Sequence, residues 1–150
     1  KSSWKHPELA DLQRPLNKRG EKDAPNIGKQ IRDEGLTPQV ILSSTAERCA
    51  KTAEIVADKL GYTGEIQYRE DLYLAEPTML IDVLRGLPDD VDSVMIVGHN
   101  PGLEGLLQIL TQKVESLATG TVAVLAVPIR AWQLLDVRID CKLNTLLKPK

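Results

Sequence analysis

Gln39-Val40-Ile41-Leu42-Ser43-Ser44-Thr45-Ala46-Glu47-Arg48 decides the fold. The apolar run Val40 to Leu42 is too short for a helix and rich in branched residues, so it reads as a buried strand. Ser44 followed three residues later by Glu47 fits a capping box that opens a helix directly after the strand. Cys49, Ala53, Val56 and Leu60 then recur at helical spacing, and Gly61 supplies a left-handed stop. The same strand-to-helix grammar returns downstream. Ser93 to Val97 reads as a second buried strand and Gly98-His99-Asn100-Pro101 as its exit, with Asn100 as helix cap and Pro101 as first helical residue. Leu103, Leu106, Leu107 and Leu110 form the apolar stripe of the helix that follows.

Working outward, Ala24, Ile27 and Ile31 predict an amphipathic helix ending near Gly35, entered through the loop Arg14-Pro15-Leu16-Asn17. Glu65 to Tyr68 reads as a strand, and Pro77 to Arg85 as a helix closed by Gly86. Thr121 to Val127 and Trp132 to Val137 read as two final strands separated by Pro128. Strands alternating with helices predict an α/β layered fold with a largely parallel sheet.

The 150 residues suit one domain, and residues 1–150 are read as such. With no Phe, the core must be aliphatic. A net charge of −2 creates no global field toward nucleic acid. The longest apolar run, Val122 to Val127, falls far short of the ~20 residues of a membrane helix. Cys49 and Cys141 are too few for a disulfide framework, which fits a reducing cytoplasm. Without a P-loop, a His-Glu-x-x-His motif or a cysteine-based zinc pattern, no metal or cofactor is expected.

In open α/β sheets ligands collect beyond the carboxyl ends of the strands, where helix N-termini favour anions. The turns at 43–48 and 98–102 both lie there. Arg48 offers planar, permanently charged donors, and His99 a switchable one, so together they suit a phosphate. Taken alone, Arg48 reads as a surface helix residue, and His99 divides evenly between structure and function. Cys49 reads as core, because no Cys-x5-Arg phosphate loop follows it. His6 lies in a polar segment and reads as solvated.

These segments together resemble a family. Lys1-Ser2-Ser3-Trp4, Arg14 to Gly20, Ser43 to Arg48 with Thr52-Ala53-Glu54, Val97 to Pro101 and, more weakly, Thr119 to Ala123 are similar to SixA-type phosphohistidine phosphatases of the histidine phosphatase (phosphoglycerate mutase-like) superfamily. The resemblance implies a three-layer α/β sandwich and a metal-free phosphatase working through a phosphohistidine intermediate. Arg48 matches the family arginine that binds the phosphoryl oxygens, His99 the second pocket histidine, and Arg14 a further arginine near the pocket. Glu76 is the candidate general acid, its other reading being a cap beside Pro77, which is slightly preferred. The family's nucleophile lies in an Arg-His-Gly or Arg-His-Ala motif at the end of the first strand, which is expected upstream of Lys1. The implied partner is a phosphorylated protein of the histidine phosphotransfer type. The alternatives are a small phosphoester as substrate, or phosphate binding without catalysis.

Overall fold

The computed structural model describes residues 7–150. Helix α1 spans Pro7–Leu12 and α2 Lys18–Asp33. Strand β1 (Val40–Ser44) leads into α3 (Glu47–Leu60), then β2 (Gln67–Arg69) and α4 (Pro77–Arg85). Strand β3 (Val94–Val97) and α5 (Gly102–Thr111) follow, and β4 (Val122–Ala126) and β5 (Lys142–Leu147) close the chain.

Strands β2, β1 and β3 form a parallel sheet in that order, and β4 and β5 form an antiparallel pair. In the parallel sheet Ile41 lies beside Met95, Leu42 beside Ile96, and Ser44 beside Arg69. Alternation along β1 divides the core in two, since successive residues of a strand face opposite sides. Ile41, Met95 and Val97 pack toward Ala53 and Ala57 of α3. Val40, Leu42, Val94 and Ile96 pack instead with Leu80, Ile81, Val83 and Leu84 of α4 and Leu106 and Leu110 of α5. Helices therefore cover both faces, giving the expected three-layer α/β arrangement.

Strands β3 and β4 share this core without sharing a ladder. Met95 packs in the same cluster as Val122 and Val124, and Val94 and Ile96 in the same cluster as Leu125. Among the described residues each strand is paired along one edge only, and every residue of the wholly apolar β3 stays half-buried.

The local expectations meet mixed outcomes. Asn17 caps α2 by accepting the Gly20 N–H at 2.9 Å, and Gly61 ends α3 with φ +69°. The Ser44–Glu47 capping box does not form. Ser44 is the last residue of β1, the N-cap position falls on Ala46, and no side chain caps there. Pro101 is the N-cap of α5 rather than its first residue, although the Asn100 Oδ1 still accepts the Glu104 N–H at 3.2 Å.

The expected strand from Trp132 to Val137 is absent. Its first three residues form a 3-10 turn that drives Trp132 and Leu135 into the core, where the indole N–H donates to the Val91 carbonyl at 2.7 Å. Apolar density there fixed neither conformation nor uniform burial, since Leu134 and Val137 of the same stretch are exposed. The last strand is instead β5, whose polar Lys142, Asn144 and Thr145 hid it from an apolar pattern. The Lys1-Ser2-Ser3-Trp4 motif and His6 lie outside the described residues.

Candidate active site

Parallel strands that end at one level bring their following turns together, and here two such turns build the site. β1 ends at Ser44, and α3 then presents Arg48 in its first turn. β3 ends at Val97, and Gly98 passes the chain to His99. The two meet directly, with Arg48 Nη2 3.3 Å from His99 Nδ1.

That contact sets the tautomer of His99. Arginine has no acceptor, so Nδ1 must accept and the ring proton resides on Nε2. Nε2 lies 2.8 Å from the Ser44 Oγ, to which it donates. Ser44 is fully buried, and its Oγ also accepts the Ala46 N–H at 3.2 Å. Burial, reinforced by the Arg48 charge, holds the His99 pKa below the ordinary imidazole range. His99 is thus a neutral ring clamped at both nitrogens. Cys49 closes the floor, its Sγ 3.6 Å from His99 Nε2 and 3.6 Å from the Gly98 carbonyl oxygen. Burial pushes its thiol pKa up, which keeps the sulfur protonated as in a core residue.

Asp11, at the end of α1, brings the cations together. Its Oδ1 accepts from Arg14 Nε at 3.3 Å and Nη2 at 3.0 Å. Its Oδ2 accepts from Arg48 Nη2 at 3.1 Å and from the Tyr73 hydroxyl, while Arg48 Nη1 donates to the Asp11 main-chain carbonyl at 2.7 Å. The Tyr73 hydroxyl first, then Arg14 and Arg48, draw the Asp11 carboxyl down to about 2 against the opposing effect of burial. Tyr73 also sets its ring edge-on to His99, with centroids 5.3 Å apart at 85°.

Arg48, His99 and Arg14 therefore converge. Glu76 does not join them: it is the N-cap residue of α4, with no side-chain capping hydrogen bond. Asn100 turns away to donate from Nδ2 to the Leu117 carbonyl at 2.7 Å, which anchors the loop after α5. Sequence reasoning missed Ser44, Asp11 and Tyr73. Ser44 was assigned to a helix cap, and Asp11 and Tyr73 carry no local signal. Only the three-residue spacing from Asp11 to Arg14, fit for one helical turn, hinted at the first.

The chain is similar to known proteins along much of its length. Residues 9–76, which include Asp11, Arg14, Arg48 and Tyr73, match the histidine phosphatase superfamily (branch 1). An uncharacterized chloroplastic protein of Arabidopsis thaliana is 30% identical over 142 residues, covering 88% of this chain and 65% of that protein. An uncharacterized Mycobacterium tuberculosis protein is 32% identical over 105 residues, covering 68% of this chain and 62% of its own length. The chain thus spans less than two thirds of these relatives.

Among solved structures, a protein of Agrobacterium tumefaciens assigned as the phosphohistidine phosphatase SixA superposes with a TM-score of 0.80 at 28% identity, covering 99% of this chain and 92% of that one. The protein histidine phosphatase SixA complexed with tungstate shares the fold, with a TM-score of 0.78 at 20% identity over 93% of this chain and 86% of that one. With the α/β/α layers and the converging strand-end turns, these matches show that the chain has the SixA-type fold, with residues 9–76 similar to the histidine phosphatase superfamily.

Proposed function

We propose that the protein is a metal-independent phosphatase that hydrolyses phosphohistidine on a partner protein of the histidine phosphotransfer type. One observation carries the reading: two strand-end turns and the loop after α1 gather Arg14, Arg48 and His99 into one cluster, in which both arginines hold the Asp11 carboxylate and Arg48 donates to His99. Phosphoryl transfer depends chiefly on positioning and on neutralising charge spread over the equatorial oxygens, which is what such a cluster supplies.

The nucleophile in this reading is a histidine upstream of Lys1, on a strand seated between β3 and β4. The unpaired edges of those strands and the apolar clusters they share support that placement. The upstream imidazole attacks phosphorus, a new N–P bond forms, and the substrate N–P bond breaks with its electron pair returning to the leaving nitrogen of an imidazole already protonated on its other ring nitrogen. Water then cleaves the phosphohistidine intermediate to inorganic phosphate. Arg48 and Arg14 hold the phosphoryl oxygens. His99 faces the group through Nδ1, and an arriving dianion favours its protonation there, turning an acceptor into a charged donor. Two buried free thiols, Cys49 and Cys141, support a reducing, cytoplasmic setting.

A phosphoramidate needs less help to depart than an alkyl phosphate, because its nitrogen can already carry a proton. Glu76 therefore separates two substrate classes. Glu76→Gln should leave phosphohistidine hydrolysis within about threefold, as expected for a residue outside the hydrogen-bonded cluster. If the same change removes activity on an alkyl phosphate, Glu76 is an acid and a small phosphomonoester is the better substrate.

A further inference from the structure

The carboxylate of Asp11 is surrounded. Two bonds from Arg14 reach Oδ1, and one each from Arg48 and Tyr73 reaches Oδ2, so its four lone-pair positions are filled. Two of the three donor residues are arginines assigned above to the phosphoryl group. A phosphoryl dianion that used them with Asp11 in place would set like charges at hydrogen-bond distance. The third donor, Tyr73, points at the same place and has no other assignment.

Tyr73 is held there by its chain. A 3-10 turn over Glu70–Leu72 precedes it, with Leu72 buried in the core. Leu74, at φ +48°, then reverses the backbone. The Ala75 carbonyl lies so close to Gly102 that a Cβ there would come within 2.0 Å of its oxygen. This contact pins the loop to the start of α5 and keeps the hydroxyl aimed between Asp11 and His99. Asp11 is less firmly fixed. It stands in the last turn of the six-residue helix α1, and its carboxylate is held by polar bonds alone.

We propose that Tyr73 is a phosphoryl-binding residue and Asp11 its internal competitor: the phosphoryl group enters by displacing the Asp11 carboxylate from Arg14, Arg48 and Tyr73. This rests on the phosphatase reading of the site and adds how the site is occupied and opened. Exchange of one anion for another keeps every donor satisfied.

The test is calorimetric titration of inorganic phosphate into the purified protein and four variants, with thermal melting as the check on folding. Asp11→Asn should bind phosphate at least threefold more tightly than the parent, and Asp11→Ala should show the same gain if the amide itself perturbs the arginines. Adding Tyr73→Phe to Asp11→Asn should weaken binding by roughly tenfold, the effect of losing a hydrogen bond to a charged group. If both Asp11 variants instead weaken binding as Arg48→Ala does, Asp11 positions the arginines and the proposal is overturned. It is equally overturned if Tyr73→Phe changes nothing in the Asp11→Asn background. Unchanged affinity in Arg48→Ala would overturn the phosphate site itself, a separate outcome from either of these.

Discussion

Replacing Ser44 by alanine removes one oxygen from a fully buried position and leaves two donors without their acceptor. One is the Ala46 N–H, at 3.2 Å, and the other is His99 Nε2–H, at 2.8 Å. An orphaned buried donor costs about 1–3 kcal/mol, so Ser44→Ala should lower the melting temperature by about 2–4 °C for each kcal/mol lost. The effect on rate has a different origin. Arg48 still donates to Nδ1, so the tautomer persists, but the ring loses the anchor that aims Nδ1 at the phosphoryl site. A hydrogen bond to a group that gains charge contributes about 1.5–3 kcal/mol, which corresponds to a loss of roughly 10- to 150-fold in kcat/KM for phosphohistidine. Ser43→Ala is the matched control. Ser43 is equally buried, but its hydroxyl donates only to the Ser44 carbonyl, at 2.9 Å. That variant should lose stability while keeping its rate within about threefold. If Ser44→Ala and Ser43→Ala melt lower together yet both hydrolyse phosphohistidine at the parental rate, the positioning role of Ser44 is refuted.

Two further outcomes follow from the same structure. Burial and Arg48 hold the His99 pKa low, so its neutral form is favoured on folding, and the stability it confers is present above the ordinary value of 6.5 and lost as pH falls through the lower folded value. Inorganic phosphate should raise that folded pKa. An NMR titration of the His99 ring with and without phosphate reads the shift, and an unmoved curve would mean that His99 does not face the ligand. In the core, Leu42 is fully buried at the centre of the parallel sheet, between β2 and β3. Leu42→Ala should cost about 2–5 kcal/mol in denaturant unfolding, and a cost below about 1 kcal/mol would contradict the packing described for that face.

How much of this was legible in the sequence follows from where each signal resides. β1, α3, β3 and α5 were legible because a branched apolar run followed by a 3.6-residue stripe is a local pattern. So were Arg48 and His99, since both stand at strand exits where anions collect. Ser44 was misassigned because its spacing to Glu47 satisfies a capping rule, whereas its hydroxyl is taken by a histidine 55 residues away. Asp11 and Tyr73 were illegible for the same reason: they meet across 62 residues of chain, and no periodicity encodes that. β5 was overlooked because its polar positions broke the apolar run that would have marked it. Local grammar thus located the scaffold and two strand-end side chains of the candidate site, while the groups that hold them emerged only from the tertiary contacts.

The central claim is that the convergence at Arg48 serves phosphoryl transfer from phosphohistidine. The most direct test follows inorganic phosphate release from a phosphohistidine-bearing histidine phosphotransfer protein by the full-length enzyme, and quenches the reaction in alkali to trap the enzyme-bound phosphoryl group. The account predicts turnover with an acid-labile, base-stable phosphoenzyme, and a loss of roughly 10- to 150-fold in Arg48→Ala. Phosphate binding without turnover, or turnover indifferent to Arg48, would contradict it.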